Sequence, residues 1–205
     1  MVDDHAIVRE GLRRIINDTK GVIVAGEAST GEEALNLILQ NKYDLVLLDI
    51  SMPGKNGLQT LKEIKKHNAN LPVLMLSMHK EDQYAIRAIK AGASGYLTKD
   101  AASDQLVRAI KKICKGKIFI NEEVAELVAA DIYHNEEKHP HERLSDREFE
   151  IFKLIIKGIT ATIIAKKLSI SDKTVSTYRS RILKKMDMHS SAELIHYAIE
   201  NNISD

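Results

Sequence analysis

Leu45-Val46-Leu47-Leu48-Asp49, followed after Ile50 by the loop Ser51-Met52-Pro53-Gly54-Lys55-Asn56-Gly57, decides the fold of this 205-residue chain. Four apolar residues in a row read as a strand buried on both faces, as in a parallel sheet covered by helices. Ligands of an open parallel sheet gather at the C-terminal strand edges, so an aspartate closing such a strand is presented to chemistry. Working outward, Pro72-Val73-Leu74-Met75-Leu76 ends on the hydroxyl of Ser77, and Gly95-Tyr96-Leu97-Thr98 ends on Lys99. An acidic pair, Asp3-Asp4, stands near the chain start.

Apolar residues fall at helical spacing from Ala6 to Ile16, Val22-Ile23-Val24-Ala25 reads as a short buried strand, and strand and helix then alternate through Lys115. That alternation predicts a flavodoxin-like, doubly wound parallel sheet. Ser29 or Thr30 ahead of Glu32-Glu33 marks a helix start. Residues 117–140 change character: Ile118-Phe119-Ile120 leads into a helical stretch, Glu122 to Tyr133, then a polar tail expected to be mobile, ending in His139-Pro140. Helices follow from residue 141 onward. Ser145-Asp146-Arg147-Glu148 has capping-box spacing, with Leu144 and Phe149 set for a hydrophobic staple and Gly158 as the stop. Ser190-Ser191-Ala192-Glu193 repeats the box before a last helix running toward Asn201. Thr160 to Leu168, the turn Ser169-Ile170-Ser171, and Asp172 to about Met186 have the arrangement of a helix-turn-helix, with Ser171 as N-cap and Val175, Ile182 and Leu183 as the buried stripe.

Two acids before a helix, one at a strand end, then Ser and Lys at the next two strand ends: this order resembles the receiver domain of two-component response regulators. The C-terminal part resembles the LuxR-type helix-turn-helix, so the likeness is to the NarL/FixJ class and spans nearly the whole chain. It implies a receiver at 1–116 with its first strand largely missing, a linker at 117–140 and a four-helix DNA-binding domain at 141–205. Carried over residue by residue, Asp49 matches the phospho-acceptor, Lys99 the phosphate-facing lysine, Ser77 the hydroxyl switch and Tyr96 the aromatic switch. Asp3 and Asp4 match the magnesium-binding acids, joined by Asp49 and the carbonyl of Ser51. Ser176, Thr177 and Ser180 would face base edges, while Lys173, Arg179, Arg181, Lys184 and Lys185 would meet phosphates. Tyr178 stands at the usual histidine position, and is expected to pack or touch the DNA backbone. The partners implied are a sensor histidine kinase, double-stranded DNA and a second copy of the chain when phosphorylated.

The chemistry agrees with the likeness. Carboxylates gathered at one sheet edge repel one another, and a magnesium ion relieves that repulsion while leaving positions for phosphate oxygens. A haloacid-dehalogenase-type phosphohydrolase carries a second Asp two residues after its nucleophile; here that position is Ser51, so the expectation is a regulator and not an enzyme. A phosphorylation-independent adaptor or dimeriser is the alternative function. It draws weight from the first strand, of which only Met1-Val2 stand ahead of the acids. The expectation there is a poorly anchored Asp3-Asp4, a second strand without its neighbour, and either a natural start further upstream or a compromised domain. In the helix-turn-helix, Thr160-Ala161-Thr162-Ile163 lacks the usual acidic box residue, so Thr160 is expected to cap unaided and Ile163 to be exposed.

Bulk properties exclude more than they name. No apolar stretch approaches membrane-spanning length and no signal-peptide pattern is present, so a cytoplasmic protein is the expectation. The net charge of +1 divides into +3 for residues 1–116 (17 basic, 14 acidic), −4 for 117–140 (2 and 6) and +2 for 141–205 (11 and 9). Bulk charge therefore does not mark a DNA binder, and local clustering must carry that reading. Cys114 is the single cysteine, excludes an internal disulfide and is expected to be a core thiol. His139 and His141 are read as solvated linker residues.

Overall fold

Three strands, β1 (Val46–Asp49), β2 (Val73–Ser77) and β3 (Gly95–Thr98), run parallel in the order β1-β2-β3. Val46 pairs with Val73 and Leu74 with Gly95, which brings Asp49 and Ser77 to the same end of the sheet. Around the strands lie α1 (Ala6–Asn17), α2 (Gly31–Gln40), α3 (Gly57–His67), α4 (Asp82–Lys90) and α5 (Ser103–Ile113). Because strand side chains alternate between faces, Leu47, Leu74, Leu76 and Leu97 share one buried cluster with Ile16 of α1 and Leu106, Ala109, Ile110 and Ile113 of α5. The other parity, Val46, Leu48, Val73 and Met75, is buried too, and α3 packs against β1. Burial on both faces explains why the strands are continuous apolar runs. The computed structural model describes residues 1–78, 82–101, 103–133, 139–201 and 203, in two units, Met1–Asp131 and Ile132–Asp205.

The acid pair is firmly anchored, contrary to expectation. Val2 forms parallel bridges to both Ala28 and Leu48. Its amide donates to the Leu47 carbonyl at 2.8 Å, its carbonyl accepts from the Asp49 amide at 2.9 Å, and the Asp3 amide donates to Ala28 at 3.2 Å. At about 1 kcal/mol net for each backbone hydrogen bond, this two-residue remnant holds the start of the acidic segment between its neighbours. The expected strand at Val22–Ala25 does not form: these residues have no ladder, and Ile23 is 80 % exposed. Beyond Met1, whose nitrogen donates to the Gly26 carbonyl at 2.8 Å, no described strand lies alongside to take their hydrogen bonds. A cavity of about 260 Å³ opens there, lined by Ile16, Val22, Val24, Leu45 and Cys114 among others. Cys114, one of the residues lining that cavity, is exposed, which corrects the expected core thiol.

The segment after α5 is not free linker from its outset. Phe119 bridges in parallel to Gly95, donating its amide to the Ser94 carbonyl at 2.9 Å and accepting from the Tyr96 amide at 3.1 Å. It covers the outer edge of β3. Helix α6 (Glu122–Tyr133) follows, and the polar run 134–138 expected to be mobile lies outside the described residues.

In the second unit a 3-10 turn, Pro140–Arg143, precedes α7 (Asp146–Ile156), α8 (Ala161–Leu168), α9 (Asp172–Met186) and α10 (Ser191–Glu200). The Ser145–Glu148 capping box is complete, Leu144 and Phe149 are buried beside it, and Gly158 takes the positive φ of a helix stop. At α10 the box is altered: Ser190 caps the Glu193 amide, but the Glu193 carboxylate reaches back to the His189 amide instead of that of Ser190. Thr160 caps α8 alone, at 3.5 Å from the Ile163 amide, and Ile163 is 56 % exposed. His141 is buried, its Nδ1 2.7 Å from the Tyr197 hydroxyl and its ring against Phe149. It belongs to the core of this unit, correcting the solvated reading; a His-Pro-His run gives no periodicity by which to tell the two.

Gly57 sets how closely α3 approaches the end of β1. A Cβ there would lie 2.0 Å from the Asp49 carbonyl oxygen and 2.7 Å from Ile50 Cα, both backbone atoms. Gly57→Ala is therefore expected to cost about 3 kcal/mol, read as a lower urea midpoint of the N-terminal unit. A change below about 0.5 kcal/mol would contradict the packing described.

Candidate functional site

At the C-terminal end of the sheet, Lys99 stands between two buried carboxylates: its Nζ lies 2.6 Å from Asp3 Oδ2 and 2.7 Å from Asp49 Oδ2. All three side chains are almost wholly removed from solvent. Strand pairing produces the meeting. Asp49 ends β1, Asp3 follows the Val2 remnant beside it, and the Lys99 amide donates to the Ser77 carbonyl at 2.7 Å, fixing Lys99 to the end of β2. Asp3's other oxygen accepts from the His5 amide at 2.8 Å, and its carbonyl accepts from the Arg9 guanidinium at 2.6 Å. With both carboxylate oxygens engaged, Asp3 is poorly placed for direct ligation. Asp4 sits at the mouth, and His5 Nδ1 approaches its Oδ1 at 2.9 Å. Asp49 Oδ1 accepts from the Ser51 amide at 3.3 Å, which orients the carboxylate and brings the exposed Ser51 alongside.

The electrostatics are unbalanced. Three carboxyl groups face one ammonium, and burial pushes the Asp49 carboxyl up from 3.8 to about 6, against the opposing pull of Lys99 and with the help of Asp3. Oδ1 of Asp4 is buried, with His5 Nδ1 as its near polar neighbour at 2.9 Å. Asp3, Asp4, His5 and Asp49 bring ligand-type atoms within 4.8 Å of one another, and the carboxylate oxygens of Asp4 and Asp49 fit a hard divalent cation such as magnesium. Ser77 and Tyr96, the expected switch pair, are both buried, and Tyr96 pairs with Met75 in the sheet. Sequence reasoning missed His5 and Arg9. Their signals were present: a histidine directly after an acid pair, and an arginine one helical turn into α1, facing back toward it.

On α9, Lys173, Ser176, Thr177, Arg179, Ser180, Arg181, Lys184 and Lys185 are all exposed, as the helix-turn-helix reading requires. Their roles separate. Lys185 pairs with Glu148 at 2.6 Å and Arg179 donates to Ser191 Oγ at 2.9 Å, so these two cations join α9 to α7 and α10 within the domain. Lys185 and Ser145 hold the Glu148 carboxyl below its ordinary value although burial works in the opposite sense. Ser176, Thr177 and Ser180 donate to carbonyls one turn back, keeping their lone pairs outward. The Tyr178 ring lies 5.9 Å beneath the Arg181 guanidinium, so it packs along its own helix.

A family model described as response regulator receiver domain matches residues 1–111, and one for bacterial regulatory proteins, luxR family, matches residues 142–198. The response regulator UvrY of Escherichia coli K12 is 39 % identical over 204 residues, covering 99 % of this chain and 94 % of UvrY. Among solved structures, RcsB from Salmonella enterica serovar Typhimurium bound to promoter rprA in the presence of phosphomimetic BeF3- aligns with a TM-score of 0.64 at 27 % identity, over 96 % of this chain and 95 % of that one. A structure of two RcsB dimers bound to two parallel DNAs aligns with a TM-score of 0.58 at 29 % identity, over 96 % and 94 %.

A carboxyl whose folded pKa is raised destabilises the fold once ionised. Relative to the unfolded chain, its contribution is most favourable below 3.8 and is lost as pH rises through about 6. Asp49→Asn, with metal chelated, is therefore expected to stabilise the N-terminal unit by on the order of 2 kcal/mol at pH 7.5. The gain should shrink between about pH 6 and 4. Thermal melts of both proteins across that range check it, and a pH-independent difference would refute the linkage.

Proposed function

The chain belongs to the NarL/FixJ class of response regulators, transcriptional regulators of two-component systems that join a receiver to a LuxR-type DNA-binding domain, and on that premise we propose that Asp49 is its phospho-acceptor. The observation that carries this reading is the buried Asp49 carboxylate, held beside Lys99 and the acid pair at the sheet's open end. A sensor histidine kinase supplies the phosphoryl group. An Asp49 oxygen attacks phosphorus, the O–P bond forms as the P–N bond to the kinase's histidine breaks, and an acyl phosphate results. Lys99, already within ion-pair distance of Asp49, neutralises charge on the transferring group. Asp4, Asp49 and the Ser51 carbonyl would hold magnesium, with Asp3 acting through water; when bound, the ion stabilises charge on the phosphoryl oxygens.

The product carries close to two negative charges where Asp49 carried one, which favours a hydroxyl donor such as Ser77 turning toward it and Tyr96 shifting into the space released. Tyr96 shares a backbone hydrogen bond with Phe119, so a change in β3 reaches the segment leading to the linker helix. The division into receiver at 1–116, linker at 117–140 and DNA-binding domain at 141–205 belongs to this reading, as does action in the cytoplasm; no helix of the described residues is long and apolar enough to cross a membrane. On double-stranded DNA, Ser176, Thr177 and Ser180 address base edges. Lys173, Arg181 and Lys184 address phosphates, while Arg179 and Lys185 set the pose of α9. Hydroxyl readers give weak discrimination, so a phosphorylation-driven homodimer on paired half-sites supplies the specificity.

Asp49→Asn is expected to abolish labelling by acetyl phosphate in the presence of magnesium, followed by separating the phosphorylated form on a phosphate-affinity gel; undiminished labelling would sink the assignment. Lys184→Ala should weaken DNA binding about equally across sequences and reduce the salt slope by about one. Thr177→Ala should change preference among sites with little change in slope. Gel-shift titrations at several salt concentrations separate the two, and identical behaviour of both variants would contradict the division of roles.

A further inference from the structure

Arg9 lies one turn into α1, and helical side chains lean toward the helix N-terminus, so its guanidinium returns to the acid pair. There Nη1 donates to the Asp3 carbonyl at 2.6 Å, while Nε lies 3.7 Å from Glu27 Oε2. Only 20 % of the Arg9 side chain is exposed. The carbonyl it holds governs Asp4. That oxygen belongs to the peptide unit joining Asp3 to Asp4, and because a peptide unit is planar, fixing the oxygen fixes the plane that carries the Asp4 amide and Cα. Sheet pairing reaches the Asp3 amide, which donates to the Ala28 carbonyl at 3.2 Å; the carbonyl that follows is held by a side chain.

Glu27 directly precedes Ala28, which bridges to Val2, so the guanidinium ties together α1, the acid pair and the stretch running alongside it. An ion pair to an exposed carboxylate such as Glu27 adds little to stability. Its effect is geometric: it holds the fork so that Nη1 meets the carbonyl. Resting on the reading of Asp4 and Asp49 as magnesium ligands, we propose that Arg9 is a positioning residue for that site, presetting the Asp4 carboxylate through the Asp3–Asp4 peptide. Charge alone predicts the opposite sign. A guanidinium beside the acids repels an incoming cation, so an Arg9 that acted only through its charge would weaken magnesium binding, and its removal would tighten it. Lysine keeps the charge and loses the planar fork, which makes it the discriminating substitution.

The test follows Mg2+ binding apart from phosphoryl transfer. Thermal melts of the full chain over a series of Mg2+ concentrations report binding directly, because a ligand of the native state raises the melting point with its concentration. A cooperative metal-free melt shows that each variant folds and serves as its reference; if Arg9→Ala lacks one, Arg9→Lys carries the test. Both variants should raise the Mg2+ dissociation constant by about tenfold, the effect of losing a partner that orients a metal ligand. Labelling by acetyl phosphate at saturating Mg2+ should stay within about twofold of wild type, since Asp49 and Lys99 are untouched. Tighter binding by Arg9→Ala with no change in Arg9→Lys leaves Arg9 a Coulombic effect only and overturns the proposal. Unchanged constants in both variants, or a loss of labelling that saturating Mg2+ does not restore, overturn it too. Asp4→Ala distinguishes the two levels of the reading. If it responds to Mg2+ as the wild type does, the acidic cluster is not the cation site and both readings fall; if it loses the response while the Arg9 variants keep it in full, the role of Arg9 alone is excluded.

Discussion

One ammonium held between two buried carboxylates is the constraint around which the N-terminal unit is arranged. Lys99 reaches Asp3 and Asp49 at 2.6 and 2.7 Å from the end of a different strand, so three segments must end at one place for the charges to meet. Removing Lys99 would leave two buried carboxylates without their cation, a loss of roughly 3–5 kcal/mol, whereas removing one carboxylate leaves Lys99 paired with the other. The parallel register, the Val2 bridges and the close passage of α3 at Gly57 all serve that convergence. The arrangement is deliberately incomplete. Asp4 adds a third carboxyl that Lys99 does not answer, and the unbalanced charge is what makes the site receptive to a cation and then to a phosphoryl group.

The second unit treats its charges in the opposite way. Arg147, Glu148 and Lys153 of α7 are buried and satisfied: Arg147 bonds the Leu168 carbonyl and Glu150, Glu148 meets Lys185, and Lys153 donates to the Ile203 carbonyl. Part of the basic run on α9 is thereby spent on fixing the helix in its own domain. The cations that remain on the exposed face explain how a segment of small net charge can still present a local basic surface.

Much of this was readable before any coordinates. The strand Val46–Asp49 follows from apolar residues in succession that suit burial on both faces, and the polar groups at strand ends marked where side chains would gather. Caps at Ser145, Ser171 and Ser190 were legible because their chemistry is local. What failed was non-local. Val22–Ala25 has a strand's composition, but a strand exists only where a neighbour takes its hydrogen bonds, and Cys114, on an apolar helix stripe, lines the adjoining cavity and is exposed. His141 has a buried partner, Tyr197, 56 residues away, and nothing in the sequence around it announces that pairing. Lys185 and Arg179 looked identical to their exposed neighbours because their partners lie on other helices.

The pairing of Phe119 with the margin of β3 carries a consequence for solubility. An uncovered strand margin is a template on which another polypeptide can add itself, the first step toward aggregation. Here the chain shields that margin with its own continuation: the Phe119 carbonyl comes so near Gly95 that a Cβ there would lie 2.6 Å from it, and two backbone hydrogen bonds hold it in place. Detaching this cover would expose hydrogen-bonding groups of β3 to intermolecular capture. Rearrangements that leave Phe119 seated are thus the ones a crowded cell can tolerate.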